Sequence, residues 1–130
     1  EDQDGCPDQV PEAVKKFTGV MRGIVFEQGK AKISKESNTT LDAAYQTLVD
    51  YPSIRIEVSG HTSSEGAPAV NQKLSEDRAN SVRDYLVSKG IAPERVVARG
   101  AGASEPIADN ATRAGREENR RIEFRVLSQP

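Results

Sequence analysis

The chain has 130 residues, of which 35% are hydrophobic and 29% are charged, with 18 basic and 20 acidic side chains. This length suits one domain with a single modest core. The net charge of -2 excludes the basic surface that nucleic-acid binding needs, and no apolar run approaches the ~20 residues of a membrane-spanning helix.

Residues 1–16 form an acidic segment that we expect to be a linker or tail. Its pattern resembles the end of a thrombospondin type 3-like calcium repeat, because Asp2, Asp4 and Asp8 alternate around a Gly and a Pro. A weak Ca²⁺ site at these aspartates stays open. However, Ca²⁺ takes about six to eight oxygens, so we expect no bound metal and no cofactor. Cys6 is the only cysteine, and it has no partner for a disulfide within the chain.

The remaining residues, 17–130, are predicted to form the folded domain. Alternating apolar residues over 19–26 predict a first strand. An apolar stripe at helical spacing predicts a helix over 37–50, which Pro52 ends. Alternation returns over 54–59 and predicts the second strand.

The second half of the chain continues the alternation of strands and helices. A long helix is predicted over 68–89, followed by a strand over 95–99, a short helix over 112–118 and a last strand over 121–127. The order β-α-β-α-β-(α)-β predicts an α/β (α+β) two-layer sandwich. Its mixed four-stranded sheet would carry the two main helices on one face.

The most informative side chains follow the second predicted strand. Asn71, Ser75 and Arg78 are three or four residues apart, so they lie along one side of the long helix. A guanidinium and a carboxamide near a helix N-terminus suit a carboxylate or zwitterionic ligand. The segment contains no nucleophile–base pair. The pattern therefore indicates recognition and not catalysis, and we predict that the chain is not an enzyme.

One set of residues follows a known pattern, a Gly-His-Thr followed by N-x-x-L-S-x-x-R-A-x-x-V-x-x-Y-L. Its members are Gly60, His61, Thr62, Gly66, Asn71, Leu74, Ser75, Arg78, Ala79, Val82, Tyr85 and Leu86. Segments 106–110 and 119–124 add two further matches. Together they resemble the peptidoglycan-binding domain shared by OmpA, the Pal lipoproteins and the flagellar stator protein MotB.

This resemblance implies a non-covalent module that anchors an outer-membrane protein or lipoprotein to the cell wall. It implies binding to meso-diaminopimelate of the peptidoglycan stem peptide and a periplasmic location in a Gram-negative bacterium. The domain would not itself enter the membrane, but would be tethered to an N-terminal outer-membrane barrel or a lipid anchor. A stator-type wall anchor stays open as an alternative.

The resemblance also assigns roles to individual residues. Arg78 would bind a ligand carboxylate, with a surface ion pair as the alternative, and Asn71 would bond the ligand's polar groups or cap the helix. The predicted ligand-binding residues are Gly29, Lys30, Thr62, Ser63, Ser64, Glu65, Asn71, Leu74, Arg78, Asn119 and Arg120.

Position 63 departs from the family pattern. The family's usual Asp, which would accept a hydrogen bond from the ligand's ammonium, is Ser63 here. Glu65 could supply a substitute carboxylate. Altered or weakened ligand specificity on the same fold is therefore a second possibility.

Two further features have a structural interpretation. We expect His61 to be structural, with its ring bonding the backbone of the turn. We also expect a solvated, salt-bridged face for the basic cluster of Arg113, Arg116, Arg120, Arg121 and Arg125.

Overall fold

The structure is a computed structural model that describes residues 18–21, 24, 26 and 31–128. Its elements in chain order are β1 (Gly19–Val20), α1 (Asn38–Asp50), β2 (Arg55–His61), α2 (Pro68–Ser88), β3 (Val96–Gly102), α3 (Arg113–Asn119) and β4 (Arg121–Ser128). Short 3₁₀ turns at Lys35–Ser37 and Pro93–Arg95 precede α1 and β3. Within the described residues, no helix combines the length and apolarity that crossing a bilayer requires.

The sheet has the strand order β1-β4-β2-β3. Strands β2 and β3 are parallel, whereas β4 runs antiparallel to both β2 and β1. The sheet is therefore mixed, as predicted, but only three of its strands are long.

The first strand is the part of the fold prediction that is wrong. In place of a strand over 19–26, β1 pairs only at Gly19–Val20. The side chains of Met21 and Ile24 are both buried in the core, and the amide of Ile24 donates to the carbonyl of Met21 at 3.2 Å. The Met21 amide still donates to Ile122 O of β4 at 2.8 Å, but the Met21 carbonyl is used by this local turn.

The core lies between the sheet and two helices on one of its faces. Buried side chains come from both helices and from all three long strands: Leu41, Ala44 and Leu48 of α1, Ala79, Val82 and Leu86 of α2, and Ile56, Val58, Val96, Ile122 and Phe124 of the sheet. The Tyr85 hydroxyl of α2 also donates to the Asp42 carboxylate of α1 at 2.6 Å. The predicted α+β class with a mixed sheet is confirmed.

The opposite face of the sheet carries charged side chains that neutralise one another. Glu57 of β2 accepts from Arg99 of β3 at 3.2 Å and from Arg125 of β4 at 3.3 Å. Arg99 also contacts Glu105 at 2.9 Å, so two carboxylates compensate these two guanidiniums. Arg125 thus belongs to the salt-bridged surface that the sequence predicted.

Helix α2 approaches the ends of β2 and β3 unusually closely. A methyl group at Gly60 would overlap the carbonyl oxygen of Ser75, and one at Gly100 would overlap Glu76. The buried Ser75 hydroxyl donates to Gln72 O at 2.8 Å and accepts from the Gly102 amide at 2.9 Å. Glycine and serine therefore hold the first half of α2 directly on the strand ends.

We expect Gly60→Ala to destabilise the domain, because the added methyl must displace α2 from the sheet. Overpacking of this kind costs about 1–3 kcal/mol, which lowers Tm by at least ~4 °C in a domain of this size. Thermal unfolding followed by circular dichroism checks this. The control is Asn80→Ala on the exposed side of α2, which should change stability by less than about 0.5 kcal/mol. A Gly60→Ala variant as stable as the parent would contradict the close approach.

Candidate functional site

A cavity of about 700 Å³ opens where the loop after β2 meets α2 and α3. The loop contributes polar and acidic side chains, and both helices contribute arginines. The described residues that line it are Phe26, Thr62, Ser63, Glu65, Asn71, Leu74, Arg78, Arg113, Arg116, Glu117 and Arg120. Most of the side chains that the sequence assigned to a ligand site are therefore brought together.

Arg78 is half-buried in this cavity. Its guanidinium lies 5.0 Å from the centroid of the Phe26 ring, a distance at which a cation is attracted to the face of an aromatic ring. Burial lowers the pKa of Arg78 from its ordinary value, and the charge of Arg120 lowers it further. Arginine nevertheless stays protonated at neutral pH, so Arg78 presents an oriented cation to the cavity.

Asn71 holds the loop in place. Its side-chain amide donates to the carbonyl of Glu65 at 2.8 Å and to that of Ser63 at 3.4 Å. Gly66, between this loop and α2, has a φ of 83°, which a side chain would strain. Because both N–H bonds of the Asn71 amide are used within the protein, its first role is to fix the loop against α2.

Ser63 and Glu65 face the arginines of the opposite wall. The Ser63 hydroxyl accepts from Arg120 Nη1 at 3.3 Å. Oε1 of Glu65 lies 3.4 Å from Arg120 Nη1 and 3.3 Å from Arg116 Nε. The carboxylate of Glu65 is therefore neutralised by two guanidiniums of this chain.

The other predicted loop residues have different surroundings. The Thr62 hydroxyl donates to the carbonyl of Ser63 at 3.0 Å. The Ser64 amide donates to Asn110 Oδ1 at 3.3 Å, and the Ser64 side chain does not line the cavity. Leu74 forms an apolar part of the wall, whereas Gly29 and Lys30 lie outside the described residues.

Asn119, which the sequence analysis assigned to the ligand site, does not line the cavity. Its side chain is completely buried. Its Oδ1 accepts from the amides of Ile107 and Ala108 at 2.7 and 3.0 Å, and its Nδ2 donates to Ala108 O at 3.0 Å and to Asn110 Oδ1 at 2.8 Å. These four bonds use the full capacity of an amide side chain. Asn119 thus anchors the loop beside the cavity and is not exposed to a ligand.

His61 is structural, but its partner is not the one predicted. Strand β2 extends to His61, so the ring lies on the sheet and shares a hydrogen bond with the Ser59 hydroxyl at 2.8 Å. Burial lowers the pKa of His61, and the charge of Arg121 lowers it further. Nδ1 is buried without a hydrogen-bond partner among the described residues, so protonation would bury an unsatisfied N–H.

The sequence analysis missed four residues of the cavity, Phe26, Arg113, Arg116 and Glu117. It assigned the two arginines, together with Arg121 and Arg125, to a solvated, salt-bridged face. Arg121 is instead buried and bonds Glu123 and the carbonyls of Asn119 and Glu105. Arg113 and Arg116 do form the expected ion pairs, with Glu117 and Glu65, but they also line the cavity. Their spacing was the available signal, because residues 113, 116 and 120 follow one another at the interval of one helix face.

No cluster of three or more His, Cys, Asp or Glu side chains that could hold a metal ion occurs in the part of the chain that the structure describes. Asp2, Asp4 and Asp8 lie outside that part. The weak calcium site at the tail therefore stays a prediction, as does the domain boundary between residues 16 and 17.

The sequence and the fold are both similar to those of known proteins. The chain is 44% identical over 126 residues to outer membrane porin F of Pseudomonas aeruginosa, covering 96% of this chain but only 35% of that protein. The cell wall anchor of the T6SS from Pseudomonas aeruginosa superimposes with a TM-score of 0.72 at 29% identity, over 81% of this chain and 76% of that one. The peptidoglycan-associated lipoprotein from Burkholderia pseudomallei shares the fold, with a TM-score of 0.74 at 22% identity, over 95% and 98% of the two chains.

These relatives are associated with the outer membrane and the cell wall, which confirms the predicted location as a periplasmic domain. The chain spans about a third of the length of the porin relative. The OmpA family matches residues 25–120, a range that contains every described residue of the cavity. The sequence motifs, the fold and this match together establish that the chain belongs to the OmpA family.

Proposed function

We propose that this domain is a non-covalent peptidoglycan-binding module that anchors an outer-membrane protein or lipoprotein to the cell wall. In this proposal the cavity beside α2 recognises diaminopimelate of the stem peptide, and residues 1–16 link the domain to the rest of a longer protein. The names of a porin and a wall anchor among the relatives support this assignment.

The observation that carries the proposal is the position of Arg78. Its guanidinium is half-buried and oriented by Phe26, and it lines the same cavity as Thr62, Ser63 and Asn71. A planar guanidinium can donate two parallel hydrogen bonds to a carboxylate. A site of this charge suits a carboxylate such as the one at the end of the diaminopimelate side arm.

The rigidity of the cavity also favours recognition. Asn71 fixes the loop after β2, and Asn119 fixes the loop before α3. Loops that are held before the ligand arrives lose little conformational freedom on binding, which improves affinity.

Hydrolysis of the wall is the competing function, and the geometry does not favour it. His61 would be the base for Ser63 or Ser64, but its Nε2 is bonded to the Ser59 hydroxyl and it is not among the residues that line the cavity. Glu65, the nearest carboxylate, is held in ion pairs with two arginines of the opposite wall and has no second carboxylate beside it among the described residues that line the cavity except Glu117, which pairs with Arg113. We therefore propose that the cavity binds and does not cleave.

If Arg78 binds a ligand carboxylate, Arg78→Ala should weaken binding to peptidoglycan by roughly 10- to 100-fold, the cost of a charge-assisted hydrogen bond. Co-sedimentation with insoluble peptidoglycan, over a range of protein concentrations, measures this loss. Circular dichroism and Tm should change little.

The matched control is Lys73→Ala, which removes the same charge from the same helix. Lys73 is exposed, pairs with Asp77 at 2.8 Å and does not line the cavity. The Lys73→Ala variant should bind peptidoglycan with the same affinity as the parent. Equal weakening by both substitutions would mean that only the overall charge matters, and undiminished binding by Arg78→Ala would refute the proposed role.

A further inference from the structure

The charges that line the cavity are unequal. Four guanidiniums, from Arg78, Arg113, Arg116 and Arg120, face two carboxylates, from Glu65 and Glu117. Among the described lining residues, the cavity therefore carries an excess of two positive charges. Such an excess attracts a ligand with more negative than positive charge.

Both carboxylates are already engaged by arginines of the chain. Glu65 contacts Arg116 and Arg120 within 3.4 Å, and Glu117 lies 3.6 Å from Arg113 Nε along α3. A carboxylate that is already compensated gains less from a ligand cation than an isolated one does. Neither is therefore well placed to bind an ammonium group.

Position 63 contributes no charge. The Ser63 side chain is buried against the loop and accepts a hydrogen bond from Arg120. The mutual effect of the arginines is visible at Arg78, whose pKa is lowered by burial and by the charge of Arg120. Among the described residues, the wall thus offers a ligand ammonium no carboxylate that is not already paired with an arginine.

We propose that the cavity recognises its ligand through two carboxylates and does not require a free ammonium group. A stem peptide whose diaminopimelate amine is acylated, as in a cross-link, would then bind as well as one whose amine is free. This inference rests on the proposed function and specifies the class of stem peptide that the site takes.

The test compares two synthetic tripeptides, L-Ala-γ-D-Glu-meso-diaminopimelate with a free side-chain amine and the same peptide acetylated on that amine. Isothermal titration calorimetry with the whole chain gives both affinities. For the parent protein we expect the two values to agree within about twofold. Both should fall steeply with added salt, because the contacts are charge–charge in an open cavity.

The substitution Ser63→Asp should create the preference for the free amine that the parent lacks. It adds a carboxylate to the wall, where Arg120 is already shared with Glu65. The new carboxylate is therefore less fully compensated than Glu65, and the protein should prefer the free amine by about 5- to 30-fold, the effect of one charge-assisted hydrogen bond. Ser63→Asn, which is similar in size to Ser63→Asp but neutral, should, like the parent, bind the two tripeptides with similar affinity.

Each outcome is decisive. A parent protein that prefers the free amine by fivefold or more would overturn the inference while leaving the proposed function intact. Loss of that preference in Glu65→Gln would then identify Glu65 as the group that binds the ammonium. If neither tripeptide binds, the proposed function fails, and the inference fails with it.

Discussion

The structure depends on the close approach of α2 to the ends of β2 and β3. Gly60 and Gly100 leave no room for a side chain beneath the helix, and the Ser75 hydroxyl joins the helix to the Gly102 amide. This contact sets the height of α2 above the sheet. It therefore also sets the distance between Arg78 and the loop that follows β2, from which the cavity is built.

Two asparagines convert the surrounding loops into a fixed wall. Asn71 binds the carbonyls of Ser63 and Glu65, and Asn119 satisfies the backbone of the loop before α3. Because these hydrogen bonds are internal to the protein, the two asparagine side chains fix the shape of the site, whereas the arginines supply its charge. The domain thus separates the residues that build the cavity from those that we propose to contact the ligand.

Local patterns predicted most of the fold, because helix and strand periodicities reflect burial on one side of an element. The helix over 68–89 differs from α2 by one residue. The first strand is shorter than predicted, because after the Met21 amide bonds Ile122 of β4 the Met21 carbonyl turns to the Ile24 amide. Arg78 and the loop after β2 line one cavity, and the sequence could group them because they are close together in the chain; ligand binding by Arg78 stays a prediction. The contribution of α3 was missed, and Asn119 was misplaced, because contacts between segments far apart in sequence depend on the packed structure.

The most direct test of this account is an NMR titration of the chain with the free-amine tripeptide. We predict that the side-chain Nε–H resonance of Arg78 and the backbone amides of residues 62–65 shift together and saturate at one affinity. Amides on the opposite sheet face, such as those of Val97 and Arg125, should stay unchanged. Shifts confined to that opposite face, with Arg78 unaffected, would contradict the assignment of the cavity beside α2 as the binding site.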